Sequence, residues 1–166
     1  MNVFYAALLG LLQGLTEFLP VSSSGHLVLA QKLLNVDLGG ADLLFDIILH
    51  VGTLFSVCVV MHRQLIALFK RPFKKLFYLI AASVPAAAAG VFLGSLIDRI
   101  FFGGAYLCGA FLITAASLTA AQIYAKKRQS ALPLKFRHAA CIGVAQAIAV
   151  IPGISRSGAT VAAGIL

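Results

Sequence analysis

Two of the apolar stretches in this chain are broken midway by polar residues and proline. The first covers residues 3–12, meets Gln13, Gly14, Thr16 and Glu17, breaks at Pro20 and resumes over 27–34. The second covers residues 139–151, breaks at Pro152-Gly153 and resumes over 159–166. Two further stretches, 76–97 and 104–124, are unbroken. Each is long enough for a crossing, which takes about 20 apolar residues. Non-helical backbone at membrane depth is tolerated only where protein or a watery cavity surrounds it. The pattern predicts an all-α, polytopic membrane bundle with re-entrant, broken helix pairs, forming a single integral membrane domain over residues 1–166.

Composition excludes the other classes. The chain is 61% hydrophobic and 11% charged, with a mean hydropathy of +1.00. An ordinary soluble globule, a disordered chain and a fibrous protein are all ruled out. The net charge is +8, but the bases gather in two short stretches. Arg63, Lys70, Arg71, Lys74 and Lys75 lie within 62–75; Lys126, Lys127, Arg128, Lys135 and Arg137 lie within 126–137. No basic face tracks a phosphate backbone, so nucleic acid is not an expected partner. Basic stretches between apolar runs read as cytoplasmic loops. Two spans separate them, which is consistent with both being on one side. Residues 47–61 then descend from the outer side, and the first break opens outward. The second break is reached by a rising segment only about 20 Å long, so it ends inside the bilayer. Cys58, Cys108 and Cys141 are odd in number and far apart; they read as small packing residues. The N-terminus lacks a signal-peptide pattern, so the first apolar segment is expected to remain in the mature chain.

The two breaks are related. Aligning Gln13 with Gln146 also brings Ser22 onto Ser155, Ser24 onto Ser157 and Gly25 onto Gly158. Paired broken segments in two halves point to a central site. The second copy lacks the spans that follow the first, so a longer chain is expected.

The chemistry-bearing residues sit on these breaks. Glu17 is an ionisable group in an apolar segment, where burial is expensive and function is the default reading. The bland alternative places it among headgroups. Gln13 shares its helix face. Ser22, Ser23 and Ser24 form a polar turn rich in backbone N–H groups, which favours anions, or simply breaks and caps a helix. His26 can exchange a proton near neutral pH. His50, His62 and His138 lack such company and read as interface or loop residues. Arg156, flanked by Ser155, Ser157 and Thr160, offers a planar fork for phosphate oxygens, or an ion pair with Glu17 that staples the fold. This inventory suits serine attack on a phosphoryl group, with Glu17 able to hold a divalent cation. A transporter or flippase for a phosphorylated lipid or anion would want similar groups.

The segments Gln13-Gly-Leu-Thr-Glu17-Phe-Leu-Pro-Val-Ser-Ser-Ser-Gly-His26 and Pro152-Gly-Ile-Ser-Arg156-Ser-Gly-Ala-Thr160 resemble the two signature motifs of the bacitracin-resistance family of undecaprenyl-diphosphatases. Phe45-Asp-Ile-Ile-Leu-His-Val-Gly-Thr53 resembles the family's intervening segment. The resemblance implies a helical bundle with inverted repeats in the bacterial cytoplasmic membrane, its site facing the periplasm. It implies hydrolysis of a polyprenyl diphosphate lipid, recycling the carrier for peptidoglycan synthesis and conferring bacitracin resistance. It implies Glu17 as metal ligand or base, Ser23 as nucleophile with Ser22 the near alternative, His26 as proton shuttle or serine activator, and Arg156 as diphosphate clamp. Gln13, Ser22, Ser24, Ser155, Ser157 and Thr160 would bind substrate. A divalent cation, Mg²⁺ or Ca²⁺, is implied as cofactor. The bilayer and the lipid substrate are the expected partners; homo-oligomer formation stays open. Family members carry several more helices after the second motif. The unrelated type-2 phosphatidic acid phosphatases are excluded, because their His and Asp positions after Ser155-Arg156 hold Ala162 and Leu166.

Overall fold

The computed structural model describes residues 2–101, 106–127 and 135–166, without side chains at 42–43 and 95–101. Every regular element among the described residues is helical: α1 Val3–Phe18, α2 Ser23–Leu33, α3 Asp42–Val60, α4 His62–Leu68, α5 Lys74–Phe101, α6 Leu107–Lys127, α7 Phe136–Ile148 and α8 Arg156–Ile165. The expected spans 76–97 and 104–124 fall within α5 and α6, although residues 104–105 lie outside the described residues. Arg128, of the second basic stretch, also lies outside the described residues.

By length and composition two helical stretches can cross a membrane, Lys74–Gly94 and Leu107–Lys127. A third candidate is the bent pair Leu44–Val60 and His62–Leu68, which turns by 81°. The bend puts the first basic stretch partly on α4, so it is not the plain loop expected. The exposed surface is apolar, including Phe92 at 81% and Val91 at 80% exposure. The buried positions are mostly small, among them Ala82, Ala110, Ala121, Ala139 and Ala162. Small residues let helix backbones approach closely where lipid removes the hydrophobic drive for association. At Gly143 of α7, an added Cβ would lie 2.9 Å from Ala82 O of α5. Cys58, Cys108 and Cys141 are exposed, which corrects the expectation that they pack inside. A small apolar thiol loses little facing lipid tails.

In space α5 packs on α7, and α8 packs on both α6 and α7, while α1 packs on α2 and α3. The two broken pairs meet tip to tip. Ser157 Oγ donates to Leu19 O at 3.1 Å. A Cβ on Gly25 would come within 3.2 Å of Gly153 Cα and 2.7 Å of the Phe111 ring. Gly153 has φ +90°, and a Cβ there would meet Ala110 Cβ at 2.7 Å. Gly153→Ala is therefore expected to destabilise the fold by about 2–4 kcal/mol, combining left-handed strain with overpacking. Thermal melting in detergent checks this against Gly14→Ala, where no atom lies within 4 Å; that control should be neutral or slightly stabilising.

Candidate active site

The two breaks are built alike. Helix α1 runs through Gln13, Thr16 and Glu17 to Phe18, so these polar residues do not interrupt it as expected. Thr16 Oγ1 donates to Leu12 O at 2.7 Å and Gln13 Nε2 to Glu17 Oε2 at 2.9 Å, while Gln13 Oε1 is buried without a partner among the described residues. Pro20 ends the helix, because proline pushes the preceding residue into extended geometry; Leu19 has φ −81° and ψ 145°. The chain then turns at Ser22, a non-glycine residue with φ 65°. Ser22 caps α2, its Oγ accepting from Gly25 N at 3.4 Å. In the second break Gly153 turns the chain, and Ser155 caps α8 by accepting from Gly158 N at 3.0 Å. The repeat seen in sequence thus has a physical meaning. Ser22/Gly25 and Ser155/Gly158 are the same N-cap made twice, with serine at the preferred position.

Between the two caps lies a cavity of about 460 Å³. The N-termini of α2 and α8 border it, carrying partial positive charge and unpaired backbone N–H groups. Thr114 of α6 fixes the second tip, its Oγ1 accepting from Ser155 N at 3.0 Å. Arg156, the first residue of α8, lines the cavity and is exposed. Its guanidinium makes no hydrogen bond or ion pair to any described residue, so the alternative of a Glu17–Arg156 staple is not what forms. A free guanidinium beside two helix N-termini is a site for a polyanion.

Among the described residues Glu17 is the only acidic one lining this cavity. Its Oε2 accepts from Gln13 Nε2 at 2.9 Å and from Ser23 Oγ at 2.6 Å. His50 Nε2 approaches the same oxygen at 3.7 Å. The short contact sets the Ser23 hydroxyl and the Glu17 carboxylate within the distance that general-base catalysis needs. Glu17 Oε1 has no hydrogen-bond partner among the described residues. That free oxygen tests whether the site can take a cation. Among the described residues no set of three His, Cys, Asp or Glu side chains could hold a metal. Among the described residues no carboxylate-rich cage of the kind Ca²⁺ favours is present. A Mg²⁺-type ion, which uses one or two carboxylates and completes its shell with substrate phosphates and water, fits the donors present.

The structure brings together Glu17, Ser22, Ser23, Ser24, Ser155, Arg156, Ser157 and Thr160, all lining the cavity. Two expected site residues sit elsewhere. Gln13 is only 1% exposed, one turn behind Glu17, where it braces the carboxylate and does not line the cavity. His26 does not line the cavity; its Nδ1 sits 2.8 Å from Ser22 O and its ring lies against Phe111 at 5.1 Å. It fastens α2 to α6. Conversely, His50 and Gln146 line the cavity. The sequence did carry a signal for each, a histidine inside an apolar span and the repeat mate of Gln13. Neither signal says that α3 crosses beside α1.

Residues 6–166 match the family model described as Bacitracin resistance protein BacA. The chain is 41% identical, over its whole length, to an undecaprenyl-diphosphatase of Carboxydothermus hydrogenoformans, covering 63% of that protein. It is 40% identical to one of Parabacteroides distasonis, also over its whole length and covering 65% of it. Over 99% of the chain it is 41% identical to one of Geobacter sulfurreducens, again covering 65%. The chain therefore spans slightly less than two thirds of the length of these relatives.

Proposed function

The chain belongs to the bacitracin resistance protein family, and on that premise we propose that it hydrolyses undecaprenyl diphosphate to undecaprenyl phosphate and inorganic phosphate. The observation that carries this reading is the 2.6 Å hydrogen bond from Ser23 Oγ to Glu17 Oε2 in a cavity that also holds a free Arg156. The diphosphate docks between the N-termini of α2 and α8, with Arg156 forked onto its oxygens. Ser23 Oγ attacks the terminal phosphorus while Glu17 takes the hydroxyl proton. The bond to the bridging oxygen breaks, and Glu17 passes the proton to the departing undecaprenyl phosphate. Water then attacks the phosphoserine. Its proton moves through Glu17 back to Ser23 Oγ as inorganic phosphate leaves. Arg156 and the helix N-termini stabilise the charge that spreads over the phosphoryl oxygens. Glu17 Oε1 would hold a divalent cation, Mg²⁺ by the donor argument, whose chemistry is to neutralise phosphate charge.

The multi-pass chain sits in the bacterial cytoplasmic membrane on this reading, with both basic stretches cytoplasmic and the cavity open to the periplasm. Two spans, α5 and α6, join those stretches, which supports a common side. The reaction regenerates the lipid carrier for peptidoglycan synthesis and lowers the pool that bacitracin sequesters.

The test is phosphate release from undecaprenyl diphosphate in detergent, by this chain and by a version extended to the length of its relatives. Release that EDTA abolishes and Mg²⁺ restores is the expected result. A folded, extended protein that releases none, with or without Mg²⁺, would overturn hydrolysis and favour transport of a phosphorylated lipid.

A further inference from the structure

We propose that His50 is a positioning residue that holds the Glu17 carboxylate in the pose from which it accepts the Ser23 proton, making α3 a working wall of the site. The inference rests on the phosphatase reading above.

Three helices converge on one carboxylate oxygen. Gln13 reaches Glu17 Oε2 from within α1, Ser23 from α2, and His50 from α3. Gln13 is buried and fixed one turn behind. Ser23 must leave the hydrogen bond when it attacks. At that moment His50 is the remaining contact from outside α1 among the described residues. The Glu17 side chain is 33% exposed, so without that contact it is free to swing into the cavity.

The ring itself is aimed. His50 Nδ1 lies 2.8 Å from Asp46 O, one turn back on α3. A carbonyl only accepts, so Nδ1 carries a hydrogen; Nε2 is the nitrogen turned to Glu17, and it donates to that carboxylate in the imidazolium form, in which both ring nitrogens carry hydrogen. The helix is also seated against α1 nearby, where a Cβ on Gly10 would lie 3.6 Å from Leu49 Cδ2. Position supports the role further. His50 lines the polar cavity and also a mainly apolar hollow of about 340 Å³ formed with Asp46, Ile47, Val51 and Leu54. It is the residue at the border between the reacting groups and the apolar face of α3. An imidazole on a purely lipid-facing surface would have no partner to offset its cost; this one has Asp46 O on one side and Glu17 on the other.

The experiment compares His50→Leu, which keeps bulk without an N–H, with His50→Gln, which keeps an N–H donor. Both are made in the form of the protein that releases phosphate, and each is melted in detergent. His50→Leu should lower kcat by about 10–100-fold, the usual effect of misplacing a catalytic group, with KM changed less than about threefold and melting unchanged. His50→Gln should recover kcat to within about fivefold. In a Glu17→Gln background, His50→Leu should cause no further loss, since its effect passes through the carboxylate. Full activity in His50→Leu would overturn the proposal. Equal losses in the Leu and Gln variants, or an undiminished loss in the Glu17→Gln background, would overturn it as well. Absence of release by the unsubstituted, extended protein would instead remove the phosphatase reading on which the proposal stands.

Discussion

Ser23→Ala should lower phosphate release from undecaprenyl diphosphate by at least about 10³-fold, since it removes the attacking atom and not merely a contact. Three adjacent serines compete for this role on paper, and their environments separate them. Ser22 Oγ is committed to the α2 cap and the residue is 5% exposed. Ser24 makes no side-chain hydrogen bond among the described residues. Ser23 alone donates to a carboxylate, at 2.6 Å. Ser22→Ala should therefore act through stability, at about 1 kcal/mol for a lost N-cap, and Ser24→Ala should keep activity within about tenfold. Acid-quenched protein analysed by mass spectrometry should carry phosphate on the peptide containing Ser23. Full turnover by folded Ser23→Ala would remove serine as nucleophile and leave Glu17 to activate water directly.

Arg156→Ala should cost about 10³-fold in kcat/KM. A guanidinium is suited to the charge on a transferring phosphoryl group, and comparable arginines are worth about 10³–10⁵-fold. The side chain has no protein partner among the described residues to lose, so its removal should leave melting unchanged. Arg156→Lys should recover only part of the loss, because an ammonium supplies charge without the two-pronged geometry. Steady-state kinetics with melting curves for both variants decides this. A loss of melting temperature matching the loss of rate would make Arg156 a structural residue.

Much of the fold was legible because membrane depth punishes irregular backbone. The spans that became α5 and α6, and the break at Pro152-Gly153, follow from apolar length and proline placement. The serine-glycine repeat was legible too, and it turned out to mark two copies of one helix cap. The expected interruption at Gln13–Glu17 failed for a local reason. A helix satisfies its own backbone, and Gln13 Nε2 donates to Glu17 Oε2 at i, i+4, so polarity alone did not break it.

The assignment of roles among the polar residues was only half legible. His26 is near Glu17 in the chain, yet its ring turns back to Ser22 O and Phe111. His50 is far from Glu17 in the chain, yet it lies 3.7 Å from the carboxylate. The cysteines faced outward for a related reason. Lipid is as apolar as a protein core, so hydrophobicity in a membrane chain does not mark which side of a helix is inside.

The sequence by itself determined the two long apolar helices, the breaks at Pro20 and Pro152-Gly153, and the Ser-x-Ser-Gly core that each break carries. It also supplied the carboxylate, the serines and the arginine. The tertiary structure decided which of these groups meet. That decision rests on close backbone approach at Gly25 and Gly153, where any side chain would collide, and on α3 crossing beside α1. Both are contacts between residues distant in the chain. No local propensity encodes such contacts, and they form only when the two broken pairs pack against each other.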